Sequence, residues 1–321
     1  ETTGPAGLHP IPALAAVNRQ EPTAELRPAS AAQTDEQDLM PYPVLDAIER
    51  SAIRDRQMPL AILGLMRVEF SQYTDPGLYK NLIKKDLPND VRKIGELVRK
   101  QIIHRTTLEA GNVGTNADKK FGDMAKVPWF RQSEDDIFVT ATSILAELYR
   151  RNKHGFVNNR SEKDKLVLTC RFVAVLIASI LKSKRIPCRV RAGHAPYFNM
   201  GSLGKVSADH WINQYWNSKE NRWVTIDVDG SWSLNDNFDP YNIPEEKFDY
   251  PADAWLNIRK KKEDPNRFWN AKPERGTIVV LWSLFYDFHC LMNSEIIYIH
   301  VPEIAMYEKF GKLSDRELKE I

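Results

Sequence analysis

The chain is poor in cysteine and has no long apolar segment. Its three cysteines, Cys170, Cys188 and Cys290, lie at irregular spacing, which is typical neither of a disulfide framework nor of a zinc site. No stretch approaches the roughly 18–20 consecutive apolar residues that a membrane-spanning helix needs. The residues that follow Glu1 lack the basic and apolar regions of a signal peptide. We therefore expect a cytoplasmic protein that uses no membrane partner, no metal and no other cofactor.

An excess of charge of one sign is also absent. The 45 basic and 43 acidic residues leave a formal net charge of +2, so neither nucleic acid nor an anionic membrane is indicated as a partner. The short basic run Arg259–Lys262 is more typical of a solvated helix end than of a phosphate site. With 42% hydrophobic residues, the 321-residue chain can build one large domain or two ordinary ones. Nothing in the composition sets the oligomeric state.

The N-terminal part of the chain differs in character from the rest. Residues 1–33 are rich in alanine and proline and predict an extended lead, and a helix is predicted over residues 42–55. The segments Glu21–Pro28 and Thr34–Ile48 resemble the C-terminal segment of NAD synthetases. The Ser-Gly-Gly loop with which those enzymes bind phosphate is missing from this sequence. We therefore carry over neither synthetase activity nor any synthetase residue.

Two further helices are predicted ahead of the first cysteine. Residues 87–99 have helical spacing, and Asn89 is expected to cap the helix N-terminus. A second helix is expected from Ser133 through Tyr149. The acidic residues Glu134–Asp136 would lie in its first turn, where the helix dipole favours negative charge.

A fourth helix is predicted to carry Cys170 near its start. Residues 166–181 are apolar on nearly every face, and a helix with that pattern is buried all round. The partial positive charge of a helix N-terminus and the cations of Lys165 and Arg171 both stabilise a thiolate, the nucleophilic form of cysteine. A buried structural thiol is the alternative, because most free cysteines are of that kind.

Three strands are predicted after this helix. Residues 189–192 alternate as a half-buried strand does, residues 209–216 form a second strand headed by His210, and residues 223–229 form a third. A short turn joins the last two strands into an antiparallel hairpin. His210 can then lie beside a carboxylate of the partner strand, and we take Asp227 as that carboxylate.

Other acidic, histidine and cysteine residues compete for places in the site. Asp209 and Asp229 remain alternatives to Asp227 as the orienting acid, although the two-residue period of a strand points both to the opposite face. His194 is expected to be a packed or surface imidazole, because the spacing places no carboxylate to orient it. Three residues in apolar surroundings are expected to be core residues: Cys188, His289 and Cys290.

Four short motifs in this region occur in one order, and a longer segment follows them. The motifs are Thr169–Phe172, Arg185–Val190, His210–Ile212 and Trp223–Asp227, and the longer segment is 237–268. As a set they resemble the transglutaminase-like superfamily, a papain-related group, and the later segment resembles the tail of bacterial members of unassigned function. Two positions depart from the family pattern. Phe172 stands where many relatives have an acidic residue, and Arg185 stands in place of the usual glycine.

The resemblance implies an α+β fold for residues 66–321, with a catalytic core over about residues 135–230. In that fold a buried helix carrying the cysteine packs on an antiparallel sheet carrying the histidine and the aspartate, with extra helices on the N-terminal side. It implies Cys170, His210 and Asp227 as the catalytic residues. Residues 1–60 would form a separate extended and helical segment.

The implied chemistry is acyl transfer from an amide or peptide bond through a thioester on Cys170. Water as the acceptor gives an amidase or peptidase, which we favour, and an amine gives an acyltransferase. The oxyanion would bind the Cys170 backbone N–H and a second donor, either Trp129 or a residue of the 155–165 loop. Two other functions stay open: a catalytically silent binding module on the same fold, and a role in NAD synthesis through the N-terminal segment.

Overall fold

A buried helix, Cys170–Ser183, lies at the centre of the fold. Every one of its residues is buried, including Arg171 and Lys182. A helix that is apolar on nearly every face is stable only when protein surrounds it. The Arg171 guanidinium donates to the backbone carbonyls of Val139 and Ile296. These bonds give its N–H groups acceptors inside the core. The predicted buried helix with Cys170 near its start is confirmed.

The chain folds as a mixture of helices and antiparallel and parallel strands, so the α+β class is correct. The computed structural model describes residues 68–104, 123–198, 206–230, 238–270, 274–298, 301–306 and 311–321. The helices are α1 (Lys80–Asp86), α2 (Val91–Arg99), α3 (Ala141–Arg151), α4 (Cys170–Ser183), α5 (Pro251–Arg259), α6 (Thr277–Leu291) and α7 (Asp315–Glu320). The strands are β1 (Ile102–Ile103), β2 (Leu166–Val167), β3 (Cys188–Ala195), β4 (Ser207–Asn217), β5 (Arg222–Ile226) and β6 (Phe268–Trp269).

The main sheet has four strands, with the order β3-β4-β5 and with β6 paired in parallel to the start of β4. Strands β3 and β4 are antiparallel, and Gly193 lies opposite His210. Strands β4 and β5 form the predicted antiparallel hairpin, which is confirmed, with Trp216 opposite Trp223. Strand β5 ends at Ile226, earlier than predicted. Helix α4 packs against β3 and β4, and α6 runs along β3.

A second, smaller sheet lies at the start of α4. Its two strands, β1 and β2, are parallel and pair Ile103 with Val167. The backbone N–H of Leu168 donates to the Ile103 carbonyl at 3.1 Å. The chain that leaves β2 therefore reaches Cys170 directly beside the end of β1, where His104 follows.

The turn after α4 has Arg185 in an unusual backbone conformation. Arg185 has φ of 62°, in the left-handed region that usually favours glycine. Its backbone N–H donates to Lys182 O at 2.9 Å, and Ile186 N–H donates to Leu181 O at 3.0 Å. These bonds end the helix and direct the chain into β3.

Two predicted helix starts are wrong. Asp90, not Asn89, caps α2, because its side chain accepts from Lys93 N–H at 2.9 Å. Helix α3 begins after Thr140 rather than at Ser133. Glu134 accounts for the second error, since its carboxylate is buried between two arginines instead of lying at a helix N-terminus.

The contacts of Glu134 explain why the predicted longer helix is interrupted. Its carboxylate accepts from Arg131 at 2.9 Å and from Arg151 at 2.8 Å, and from the backbone N–H of Val167 at 2.8 Å. Residues Glu134–Asp136 therefore form a single 3₁₀ turn. Tertiary ion pairs of this kind override the local helix preference.

Some predictions concern parts of the chain outside this description. The predicted helix over residues 42–55 and the resemblance over the first 60 residues lie outside the described residues, and the domain boundary between 60 and 66 stays a prediction. None of the helices in the described ranges is long and apolar enough to cross a membrane.

Candidate active site

Cys170 is the first residue of α4. Thr169 caps the helix in an extended conformation, and the Cys170 residue is 9% exposed. The free N–H groups of a helix N-terminus point toward such a side chain and favour negative charge there. The thiol thus lies where the backbone itself stabilises its ionised form.

The structure brings His210 and Asp227 together. Nε2 of His210 lies 2.8 Å from Oδ2 of Asp227, and the two side chains are 3% and 1% exposed. Asp227 also accepts from the Tyr197 hydroxyl and from the Gly230 N–H, each at 2.7 Å. Asp227 follows the last residue of β5, and its own N–H donates to Pro240 O at 2.9 Å. A carboxylate fixed by these two further donors can orient the imidazole ring.

The two alternatives to Asp227 lie in different places. Asp209 lies opposite His194 in the β3–β4 register, on the side of the strand away from the His210 ring. The Asp229 carboxylate acts on the Cys170 thiol, so it lies at the same site, in the turn after β5. The prediction that Asp229 points away is wrong. Residues two apart on a strand share a face, so the period groups Asp229 with Asp227 and does not separate them.

The charges around Cys170 favour an ion pair. Burial opposes ionisation of the thiol, but hydrogen bonds with His104 and His210 outweigh it and lower the pKa of Cys170. Burial alone favours the neutral ring of His210, yet Asp227 and the thiol raise its pKa well above the ordinary value. The pKa of Asp227 is lowered against its burial by His210. Thiolate and imidazolium therefore stabilise each other.

The remaining predicted core residues lie in different surroundings. Cys188 is 0% exposed and Cys290 is 1% exposed; burial raises the pKa of Cys188 to about 12 and that of Cys290 well above its ordinary value. Burial and the charge of Arg267 lower the pKa of His194 to about 3. His289, next to Cys290, is only half-buried and packs edge-on against Phe285.

His104 was missed by the sequence reasoning. It follows β1, hydrogen-bonds with Cys170, and places Nε2 3.3 Å from Oδ2 of Asp229. Its side chain is 12% exposed and that of Asp229 is 4% exposed. The sequence around it, Ile102-Ile103-His104, carries no motif. Only the pairing of β1 with β2, which are distant in sequence, brings it to the site.

Tyr298 is a second residue that the sequence reasoning missed. Its hydroxyl lies 3.5 Å from Cys170 Sγ and accepts from the Arg171 backbone N–H at 3.3 Å. Burial and the neighbouring thiol raise the pKa of Tyr298 well above its ordinary value, so its hydroxyl keeps the proton. Arg171, which binds the carbonyls of Glu295 and Ile296, holds the segment that leads to Tyr298.

Aromatic rings enclose the histidine on one side. The Phe198 ring centroid lies 4.7 Å from that of His210, and the Tyr197 centroid lies 6.4 Å away, both edge-on. Trp129, a candidate oxyanion donor, has an 82% exposed side chain that packs edge-on against Phe130. In the described part of the chain no group of three or more histidine, cysteine, aspartate or glutamate side chains is arranged to hold a metal ion.

Comparison with known proteins adds little. No family model matches the sequence, and no curated protein matches it. Among solved structures, the fold is similar to that of "a Putative Cysteine Protease from Cytophaga hutchinsonii", with 13% sequence identity and a TM-score of 0.34. The match covers 62% of this chain and 52% of the other, about half its length. A likeness at that level supports no conclusion about the activity of this chain.

Proposed function

We propose that the protein is a cysteine hydrolase with a transglutaminase-like core that cleaves an amide or peptide bond through a thioester on Cys170. The observation that carries the proposal is the contact of 2.8 Å between His210 and Asp227, made beside a thiol at the N-terminus of a buried helix. A nucleophile, a base in contact with it and an acid that orients the base make up the triad of acyl transfer.

The architecture around the site supports the same proposal. Helix α4 carries the cysteine and packs on β3 and β4, while the histidine lies on β4 and the aspartate directly after β5. Helices α1, α2 and α3 precede this unit in sequence. A helix carrying the cysteine and packed on the sheet that carries the histidine, with the aspartate directly after a strand of that sheet, supports the core that the resemblance implies.

Acylation follows from the positions of the three side chains. The Cys170 thiolate attacks the carbonyl carbon, forming the C–S bond and moving the carbonyl electron pair to oxygen. His210 then donates its proton to the amide nitrogen as the C–N bond breaks and the amine leaves. Asp227 holds Nε2, so the other ring nitrogen faces sulfur and substrate.

The oxyanion would form beside the N-terminus of α4. The Cys170 backbone N–H is one donor, since the first N–H groups of a helix have no partner within the helix. Tyr298 fits the place of the second oxyanion donor better than Trp129 does, because its protonated hydroxyl lies next to both Cys170 Sγ and the Arg171 N–H. Each such donor contributes about 3–4 kcal/mol to transition-state binding in well-studied cases.

Alkylation of the three cysteines tests the activated thiol. Native protein is treated with iodoacetamide from pH 5 to 10, and modification at each cysteine is quantified by mass spectrometry. We expect Cys170 to react selectively below pH ~7, while Cys188 and Cys290 stay unmodified, because a thiolate with a lowered pKa reacts where ordinary thiols do not. The His210→Ala variant should lose that selectivity. Equal reaction of all three cysteines would support a binding module instead.

The acyl acceptor needs a separate test. p-Nitrophenyl acetate acylates an activated cysteine, and the acetyl-enzyme is then divided between water and an added primary amine such as glycine methyl ester. We expect acetate as the main product at millimolar amine, which corresponds to hydrolysis of a peptide, protein or other amide substrate. Predominant formation of N-acetylglycine methyl ester would indicate an acyltransferase.

A further inference from the structure

Cys170 has a histidine on each of two sides. His210 reaches it from β4, while His104 reaches it from the end of β1. The position of His104 is fixed by backbone: β1 pairs with β2 in register, and Leu168, two residues before Cys170, donates to the Ile103 carbonyl at 3.1 Å. The triad proposed above uses only one of these rings.

Each ring also has its own carboxylate. His210 is bound by Asp227 at 2.8 Å, and His104 lies 3.3 Å from Asp229. Both aspartates come from the short segment after β5, with Asp227 on His210 and Asp229 on His104. Oδ1 of Asp229 is buried and has no hydrogen-bond partner among the described residues. A buried carboxylate oxygen of this kind can still accept a hydrogen bond from water or substrate.

The charges of the site balance when both rings are protonated. The Cys170 thiolate and the two carboxylates are negative, while the buried guanidinium of Arg99 acts on both aspartates. Two imidazolium rings complete the balance, and an uncompensated buried charge would be costly. Among the described residues, three tyrosines also act on the thiol or on the two aspartates: Tyr197, Tyr241 and Tyr298.

We propose that His104, oriented by Asp229, is a second catalytic histidine that activates the water of the deacylation step. The inference rests on the proposed function and divides its two half-reactions between two rings: His210 serves acylation and His104 serves deacylation. Both rings contact the sulfur in the free enzyme, so both lie next to the thioester carbonyl once it forms.

The loss of negative charge at sulfur on acylation lets His104 act as a base in the second half-reaction. Burial favours the neutral ring of His104, but Asp229 and the Cys170 sulfur raise its pKa, while Arg99 lowers it. Acylation converts the thiolate into an uncharged thioester, which removes one of the two raising interactions. His104 then releases its proton to solvent and becomes a base at the moment when a base is needed.

The deacylation step balances in atoms and charge. His104 takes a proton from water while the water oxygen attacks the thioester carbon, forming a C–O bond. The intermediate collapses, the C–S bond breaks and the electron pair returns to sulfur as the thiolate. His104 is again an imidazolium, and the proton of the carboxylic acid product returns to His210. The net reaction consumes one water and releases a carboxylate, an amine and one proton.

A comparison of His104→Gln with His210→Gln separates the two roles. With p-nitrophenyl acetate, the burst of p-nitrophenol measures acylation, and decay of the acetyl-enzyme, followed by intact mass, measures deacylation. At a pH above the alkylation midpoints of both proteins, we expect His104→Gln to keep the burst within a few-fold and to slow deacylation about 100-fold, the contribution of one general base. We expect His210→Gln to slow the burst instead. His194→Gln, a buried histidine away from the thiol, serves as the control.

Two further readouts exclude a merely structural effect. Deacylation by the wild type should accelerate with pH as His104 loses its proton, and that dependence should vanish in His104→Gln and weaken in Asp229→Asn. The midpoint pH for Cys170 alkylation should also rise in His104→Gln, by about one unit or tenfold in rate at fixed low pH. Asp229→Asn provides the same tests if the first variant fails to fold.

Three outcomes would overturn the inference. They are deacylation at the wild-type rate in His104→Gln, an unchanged alkylation midpoint, and equal slowing of both phases with an unchanged pH profile. Failure of the proposed function is distinguishable from all of these. In that case the wild type itself shows neither an acetyl group on Cys170 nor selective alkylation of it.

Discussion

Cys170 and Cys290 are two buried thiols of one chain in opposite electrostatic surroundings. Cys170 begins a helix and contacts two histidines, each beside a carboxylate, and its pKa is lowered. Cys290 lies near the end of α6, where burial raises its pKa well above the ordinary value. Burial acts on both in the same direction, so the difference comes from the hydrogen-bonding partners. Position at a helix start and contact with imidazole, not exposure, set the ionisation of a thiol here.

His210 and His194, on the paired strands β4 and β3, differ in pKa in a similar way. His210 lies opposite Gly193, and the next residue, His194, lies opposite Asp209. Asp227 and the thiol raise the pKa of His210, whereas burial and Arg267 lower the pKa of His194 to about 3. Adjacent register positions thus hold one ring charged and the other neutral.

The cysteine pair gives the largest expected effect. Cys170→Ala should abolish acetyl-enzyme formation with p-nitrophenyl acetate, because no other described cysteine is ionised near neutral pH. Cys290→Ala should keep the burst at the wild-type rate and lower the free energy of unfolding by about 1 kcal/mol, the usual cost of a small core truncation. The burst is read by absorbance and stability by urea unfolding. A burst that survives Cys170→Ala would remove the contrast between the two thiols.

Replacement of the orienting carboxylate gives the second-largest expected effect, on the rate of acylation. Asp227→Asn should slow acylation about 100-fold or more, because the amide cannot stabilise the imidazolium and can hold the wrong tautomer. Asp209→Asn is the matched control and should change acylation less than threefold. Both rates come from the p-nitrophenol burst across pH. If Asp209→Asn were the more damaging change, the assignment of the orienting acid would be wrong.

A substitution at Gly230 would displace the Asp227 carboxylate without removing it, so a smaller effect on acylation is expected. A Cβ added there would lie 2.1 Å from Asp227 Oδ2, so Gly230→Ala must move the carboxylate away from His210. We expect acylation to fall about tenfold, since small misplacements of a catalytic group have effects of that order or larger. Gly311→Ala, where an added Cβ meets nothing within 4 Å, should leave the burst unchanged. Equal bursts in the two variants would show that the Asp227 contact does not control the thiol.

His194 gives the smallest effect, on stability. Its folded-state pKa of about 3 lies below its unfolded value, so the folded state binds fewer protons between those pH values. The contribution of His194 to the free energy of unfolding is therefore fully present above pH ~6.5. It is lost by about 1.4 kcal/mol per pH unit as the pH falls toward 3. His194→Gln should lose this slope, whereas the exposed His154→Gln should keep it. Urea unfolding from pH 7 to 4 measures both slopes, and an unchanged slope in His194→Gln would contradict the buried neutral ring.

The sequence predicts the part of the site that depends on local pattern. The apolar run identifies α4, and alternation identifies β3 and the β4–β5 hairpin, so Cys170 and His210 are placed by residues close to them. Strand period excludes Asp209, which alternates with His210, but it cannot separate Asp227 from Asp229, because residues two apart share a face. The contact of Asp227 with His210 and that of Asp229 with His104 are visible only in the fold.

The missed residues depend on long-range packing. His104 reaches the thiol through pairing of β1 with β2, and Tyr298 reaches it from beyond α6, held by the Arg171 contacts. Neither has a motif or a spacing that points to Cys170. The start of α3 is missed for the same reason, since Glu134 binds Arg131 and Arg151 instead of continuing a helix.

Ultraviolet absorbance of the thiolate tests the central claim most directly. The absorbance of wild-type protein minus that of Cys170→Ala, titrated from pH 4 to 10, reports the ionisation of Cys170 alone. We predict a transition well below the ordinary thiol pKa of about 8.5, shifted upward in His210→Gln. A transition at or above that ordinary value, unchanged by His210→Gln, would contradict an activated thiol.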